Sequence, residues 1–211
     1  MKKLHFPVFI PLLFSVLNAF SQTAQVGGPC EGCEAIYENP VPLEKLESVV
    51  KLPDASWEGK KPLGINGTVY KADGKTPAPG VILYVYHTDE TGHYPKKGNE
   101  KGWAKRHGYL RGWMRTDEKG TYKFVTLRPA PYPGATDPAH IHIFLKEPGL
   151  NEYYIDEFLF SDDPLLTAEK RQKLENRGGS GIVKLVDVGN MYKGERNIYL
   201  GKNIPNYPVT P

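Results

Sequence analysis

The sequence predicts an all-β fold, an antiparallel sandwich or barrel, on three observations. From Gly64 onward the chain falls into short segments rich in β-branched and aromatic residues: "GINGTVYKA", "GVILYVYHT", "GTYKFVTLR", "AHIHIFLKE", "EYYIDEFLF", "GIVKLVDVG" and "ERNIYLGK". Glycine, proline or aspartate clusters separate them, as between strands joined by tight turns. One stretch alone, "LTAEKRQKLENR", has the composition of a helix, which leaves no helical layer to cover a parallel sheet.

The chain opens with "MKKLHFPVFIPLLFSVLNAFSQ": two lysines, an apolar run, then small residues around Ala19 and Ser21. That order is the pattern of a secretory signal peptide over residues 1–21. The apolar run is broken by Pro7 and Pro11 and falls short of the ~20 residues a spanning helix needs. The expectation is a secreted or periplasmic protein without stable membrane insertion. Losing residues 1–21 removes Lys2 and Lys3 and no acid, taking the net charge from +3 to +1. A near-neutral chain gives no case for a nucleic-acid partner.

Residues 22–62 mix proline, glycine and charge and read as an N-terminal arm with one helical turn around "PLEKLESVV". Cys30 and Cys33 in "GGPCEGCEA" are the only cysteines. With no second pair and no local histidine a zinc site lacks half its ligands, and export permits a disulfide closing a short loop in the arm. Residues 63–203 form the sandwich and 204–211 a tail. The basic stretch "YPKKGNEKGWAKRHGYLRG" is interrupted by glycines and Glu100, and reads as a solvated loop or as the rim of a pocket for anions. Ser180 in "RGGSGIV" misses the spacing of a hydrolase nucleophile, and its glycines make a turn.

Chemistry first shows in "DPAHIHIFL". On a strand, side chains alternate, so His140, His142 and Phe144 share one face while Ile141, Ile143 and Leu145 take the core face. Two imidazoles two positions apart either bond to carbonyls at a half-buried edge or converge on one metal ion. Upstream, Tyr132 stands between Pro131 and Pro133, where the prolines pre-set the backbone that carries the phenol. Tyr94 ends the turn "HTDETGHY". Read locally, each tyrosine is as well explained as a packed or surface aromatic.

The ordered set "RG…TDEKGTYKFVTLRPAPYP…PAHIH", preceded by "GINGTVYKADGKTPAPGVILYVYHTDETGHY", resembles the intradiol ring-cleavage dioxygenases, which include protocatechuate 3,4-dioxygenases and catechol 1,2-dioxygenases. The resemblance runs from about Gly64 to Gly201. It implies a β-sandwich of that type, holding Fe(III) with Tyr94, Tyr132, His140 and His142. It further implies that Tyr132 is displaced by the catechol and takes up a substrate proton, that His142 lies opposite Tyr132, and that the partners are a catechol-type substrate and O2. Two positions depart from the family pattern. Asp137 stands where the family usually carries an arginine that stabilises charge on the substrate, and Gly134 replaces an aromatic. Arg111, Arg115 and Arg128 are candidates to supply the missing cation. The competing reading is a non-catalytic, transthyretin-like sandwich that binds iron, a catechol ligand or a surface partner, and a homo-oligomer is left open.

Overall fold

The computed structural model describes residues 25–53 and 59–208, so the leader expected over residues 1–21 lies outside the described residues. Twelve strands among the described residues form two six-stranded sheets. The first runs β1 (Val49–Lys51), β5 (Thr121–Leu127), β2 (Pro62–Tyr70), β11 (Tyr192–Glu195), β10 (Val186–Asp187), with β12 (Ile198–Tyr199) also beside β2. The second runs β4 (Arg111–Arg115), β3 (Ile82–His87), β6 (His140–Lys146), β8 (Phe158–Phe160), β9 (Ile182–Val183), with β7 (Glu152–Tyr154) also beside β6. Short connections are set by aspartates: Asp73 accepts from the amides of Lys75 and Thr76, and Asp117 from those of Lys119 and Thr121. These are the side-chain-to-backbone bonds that favour Asp in turns.

The sheets are mixed rather than antiparallel throughout. The long pairings β2–β5, β3–β4 and β3–β6 are antiparallel, whereas β1–β5, β2–β11, β2–β12 and β8–β9 are parallel. Every parallel pair includes a segment of only two to four residues. A segment that short shows no alternation, and the β8–β9 crossover is long enough to return the chain in the same direction. The helical stretch is likewise shorter than its composition suggests: α2 spans Ala168–Gln172, starting at Thr167, whose hydroxyl accepts from the Lys170 amide. A four-residue α1 (Ala104–His107) was not predicted.

The core lies between the sheets. Leu63, Ile65, Tyr122 and Phe124 from the first meet Leu83, Val85, Met114, Ile141, Ile143 and Leu145 from the second. The alternation expected of β6 holds, with Ile141 and Leu145 fully buried and His140 and His142 half-buried on the other face.

That other face is covered as well, because residues 25–53 pack onto it. Cys33, Ala35 and Ile36, in a 3-10 segment over Cys33–Glu38, bury against Ile82, Tyr84, Tyr86 and Phe144, while Val26 and Leu52 enter the main core. Fully burying an aliphatic side chain such as Ile36 contributes about 1.5–3 kcal/mol, so the packing crosses the boundary drawn at residue 62. The tail packs too: the Gly27 amide donates to the Pro205 carbonyl, and the Tyr207 hydroxyl to Glu147 at 2.7 Å. Cys30 and Cys33 are disulfide-bonded, as expected. The basic stretch is partly held by the segment it faces, since Glu38 accepts from the Trp103 amide (2.8 Å) and Arg111 (2.7 Å). No helix among the described residues is long and apolar enough to cross a membrane.

Candidate metal and substrate site

Two loops and one strand bring the predicted side chains together. Leaving β3, the chain turns around Asp89, whose carboxylate accepts from the amides of Thr91 (2.8 Å) and His93 (3.2 Å). This fixes the approach to Tyr94. The proline-rich segment carrying Tyr132 crosses the same turn, with the Ala130 amide on the Asp89 carbonyl (2.9 Å) and the Thr88 hydroxyl on the Ala130 carbonyl (2.7 Å). Strand β6 then delivers His140 and His142 from one face.

The four donor atoms converge. Tyr94 Oη lies 2.9 Å from His142 Nε2 and within hydrogen-bond distance of Tyr132 Oη. Tyr132 Oη is 3.2 Å from both His142 Nε2 and His140 Nε2, and the two Nε2 atoms are 3.1 Å apart. Tyr132 and His142, which the family resemblance sets on opposite sides of an ion, stand 3.2 Å apart here, closer than that arrangement implies.

The proton positions suit a cation. His140 Nδ1 faces the Pro138 carbonyl at 2.8 Å. A carbonyl only accepts, so Nδ1 carries the hydrogen and Nε2 presents a lone pair to the cluster. Burial, then the neighbouring His142, holds the His140 imidazole below its ordinary value, in the neutral ligating form. Burial raises both phenols, that of Tyr94 strongly, because an ionised phenol there has no counter-charge; a cation among the four atoms reverses that balance. Donor atoms about 3 Å apart suit an ion bonded to nitrogen and oxygen at about 2.0–2.2 Å. Among the described residues no group of three or more His, Cys, Asp and Glu could hold a metal, so a cation in this cluster depends on the phenols.

A cleft of about 410 Å³ opens on one side of the cluster, lined by Tyr132, His140, His142 and Asp137, with α2 and its flanks opposite. Tyr94 does not line it. Arg128 is tied to Asp162 by two bonds of 2.8 and 2.9 Å, and Arg111 to Glu38. None of Arg111, Arg115 and Arg128 reaches the cleft; its cations are Lys170 and Lys173. The remaining described histidines lie elsewhere, His87 being fully buried between Thr88 and Thr126.

Sequence reasoning missed Glu157. Its carboxylate stands 3.6 Å from His142 Nδ1 and lines the same cleft. Burial opposes its charge, but the bond to His142 and the two histidines nearby outweigh that and bring it down to about 2. A carboxylate beside the second nitrogen of a ligating histidine orients the ring and raises its basicity. The available signal was an acidic residue interrupting the apolar run of "EYYIDEFLF".

A sequence profile of the family described as Dioxygenase matches residues 37–177. The chain belongs to the intradiol ring-cleavage dioxygenase family. The chain is 31% identical over 153 residues to catechol 1,2-dioxygenase 1 of Acinetobacter lwoffii, covering 59% of this chain and 47% of that one. It is 29% identical over 116 residues to the protocatechuate 3,4-dioxygenase beta chain of Burkholderia cepacia, covering 50% and 49%. The chain thus spans about half the length of these curated relatives. Among solved structures, it is similar in fold to the mercury-inhibited catechol 1,2-dioxygenase of Acinetobacter sp. ADP1, with a TM-score of 0.57, 21% identity and coverage of 78% and 61%. It is also similar to the dioxygenase domain of a dioxygenase carbohydrate-binding protein fusion from Streptomyces sp. SirexAA-E, with a TM-score of 0.54, 22% identity and coverage of 77% and 94%. The family match begins at residue 37, inside the segment set apart as an arm.

Proposed function

We propose that this dioxygenase uses Fe(III) and O2 to open a catechol-type ring between its two oxygen-bearing carbons. The observation that carries this reading is the convergence of Tyr94, Tyr132, His140 and His142, with each histidine Nε2 within 3.2 Å of a phenol oxygen. Ferric iron is hard and favours anionic oxygen donors; bound there, it supplies the Lewis acidity that draws a catecholate and readies it for O2. The chain's own residues do the remaining work. His140 and His142 offer ring nitrogens, Glu157 stands beside the His142 ring, and Tyr94, away from the cleft, stays in place. Tyr132 lines the cleft, so its phenolate oxygen is the one positioned to accept a proton from an arriving catechol.

The cleft walls bear on the substrate. Asp137 and Glu157 put two carboxylates beside the donors, while Leu159, the cross-strand neighbour of His140, and Leu166 and Leu174 give the cleft an apolar lining. The two carboxylates disfavour an anionic group next to the donors, while Lys170 and Lys173 place two cations in the same cleft and the leucines favour an apolar substituent. Family membership favours an enzyme over the transthyretin-like binding sandwich. The Cys30–Cys33 disulfide supports an exported protein.

The test is metal analysis of protein purified without added metal, then anaerobic addition of catechols to ferric-loaded protein, then O2 uptake. The expected result is about one ferric ion per chain, a visible phenolate band that shifts with catechols, and O2 consumed with ring opening. Stoichiometric zinc, with no visible band on ferric loading, overturns the iron assignment.

A further inference from the structure

Behind the donor cluster stands a column of rings. The β3–β6 register sets Tyr86 directly opposite His142, and the two rings stack with centroids 4.5 Å apart and planes at 20°. On the far side of Tyr86 lies His107, stacked at 3.8 Å and 12°. His107 is itself fixed, with Nδ1 2.9 Å from the Tyr84 hydroxyl and the Trp103 ring 5.3 Å away. Both Tyr86 and His107 are buried.

The end of the column rests on the disulfide loop. Gly32, between Cys30 and Cys33, has φ +86°, and a Cβ there would lie 3.1 Å from His107 Nε2 and 3.2 Å from Cε1. The loop backbone therefore sits against the His107 ring. Pro29, Cys30 and Glu31 also face Tyr86 and His142 across a gap of about 200 Å³. The order from surface to site is disulfide loop, His107, Tyr86, His142.

We infer that Tyr86 is a positioning residue for the His142 imidazole, and that the Cys30–Cys33 loop sets that position through His107, which makes the donor cluster responsive to thiol reductants. The consequence for metal retention rests on the ferric reading above. A ring stacked in this way can neither tilt nor slide without its neighbour, so His142 is held on its face by Tyr86 and at Nδ1 by Glu157. A dithiol reductant passes two electrons and two protons to the sulfurs. The S–S bond breaks, two thiols form, and the reductant closes to its own disulfide. Nothing covalent then ties Gly32 over His107.

The deciding measurement is histidine side-chain NMR on the full metal-free chain, with far-UV circular dichroism as the check on folding. Tyr86→Phe keeps the ring and is expected to leave the His142 signals in place. Tyr86→Leu, and reduction of the native disulfide by a dithiol, are expected to move them. In ferric-loaded protein, Tyr86→Leu and the Cys30→Ser, Cys33→Ser double variant should each give up iron to a chelator about tenfold faster or more, a loss typical of groups supporting a ligand. Tyr86→Phe should match the native rate. The double variant replaces reductant in that arm because thiols reduce ferric iron directly.

Unmoved His142 signals on reduction and in folded Tyr86→Leu overturn the inference. If Tyr86→Leu does not fold, the reduced native chain and the double variant decide, since both retain every ring. If native protein takes up no ferric ion, the iron reading fails by itself, and the signals of the metal-free chain still decide this one.

Discussion

Gly92 lies against the carbonyl of Pro131: a Cβ on residue 92 would stand 2.1 Å from that oxygen, and the backbone there has φ +80°. The loop leading to Tyr94 and the loop carrying Tyr132 interlock at this contact, which lets two phenols 38 residues apart in sequence meet. Gly92→Ala should lower stability by about 1–3 kcal/mol from backbone strain alone and displace Tyr94, reducing iron content. Gly134→Ala is the control, since Gly134 has φ +73° with open space around it; it should lose stability and keep its iron. Urea unfolding and metal analysis of both variants check this.

Removing a donor should remove the metal. His140→Ala and Tyr94→Phe are expected to lose both iron and the visible band, whereas Glu157→Gln, which leaves all four donors, should weaken retention by about 10–100-fold. Metal analysis and chelator competition separate the cases. A Tyr94→Phe protein with native colour would remove Tyr94 from the donor set.

The segment before residue 62 should prove part of the folding unit. Ile36 is fully buried, and Ile36→Ala should cost about 2–5 kcal/mol. A chain starting near Pro62 should lose its cooperative unfolding transition. Denaturant titration followed by fluorescence reads both; a truncated chain with native stability refutes the assignment.

Asp137→Arg should shift ring preference. The substitution changes the charge beside the donors by two units, and with the site open to solvent the ratio of kcat/KM for protocatechuate over catechol should rise about tenfold. An unchanged ratio would mean that Asp137 does not face the ring.

Acid should act through His107. Burial, then the neighbouring His142 and the guanidinium groups of Arg111 and Arg106, holds this imidazole down at about 3, against 6.5 ordinarily. The unfolded chain binds a proton there that the folded chain refuses. The group's contribution is therefore complete above pH 6.5 and is lost as pH falls toward 3, at up to about 1.4 kcal/mol per pH unit. His107→Phe keeps a ring in the column and should flatten the denaturant midpoint between pH 6.5 and 4.5.

What the residues disclosed follows from how local each signal is. Strand β6 was legible because seven residues of alternation fix both faces, and Tyr132 because prolines flank it. Tyr94 was not legible locally: its placement depends on the Asp89 turn and the contact at Gly92, and the family pattern alone pointed to it. Residues 25–53 escaped as part of the fold because 3-10 segments and a three-residue strand carry no periodicity, although Ile36 and Leu52 are fully buried. Glu157 escaped because its significance lies in a neighbour 15 positions away, His142. Of the arginines considered for the cleft cation, the fold pairs Arg111 with Glu38 and Arg128 with Asp162, and Arg115 does not line the cleft.

The placement of β2 bears on how the protein comes to exist. Synthesis runs from the N-terminus, yet β2 pairs with β5 and then with β11 and β12. Its apolar face and backbone edges wait for partner residues made roughly 60 and 130 positions later. Such non-local pairing slows folding and leaves open edges available to other nascent chains. All four residues proposed as donors, in contrast, have been synthesised by residue 142, well before β11 and β12 exist to complete the first sheet.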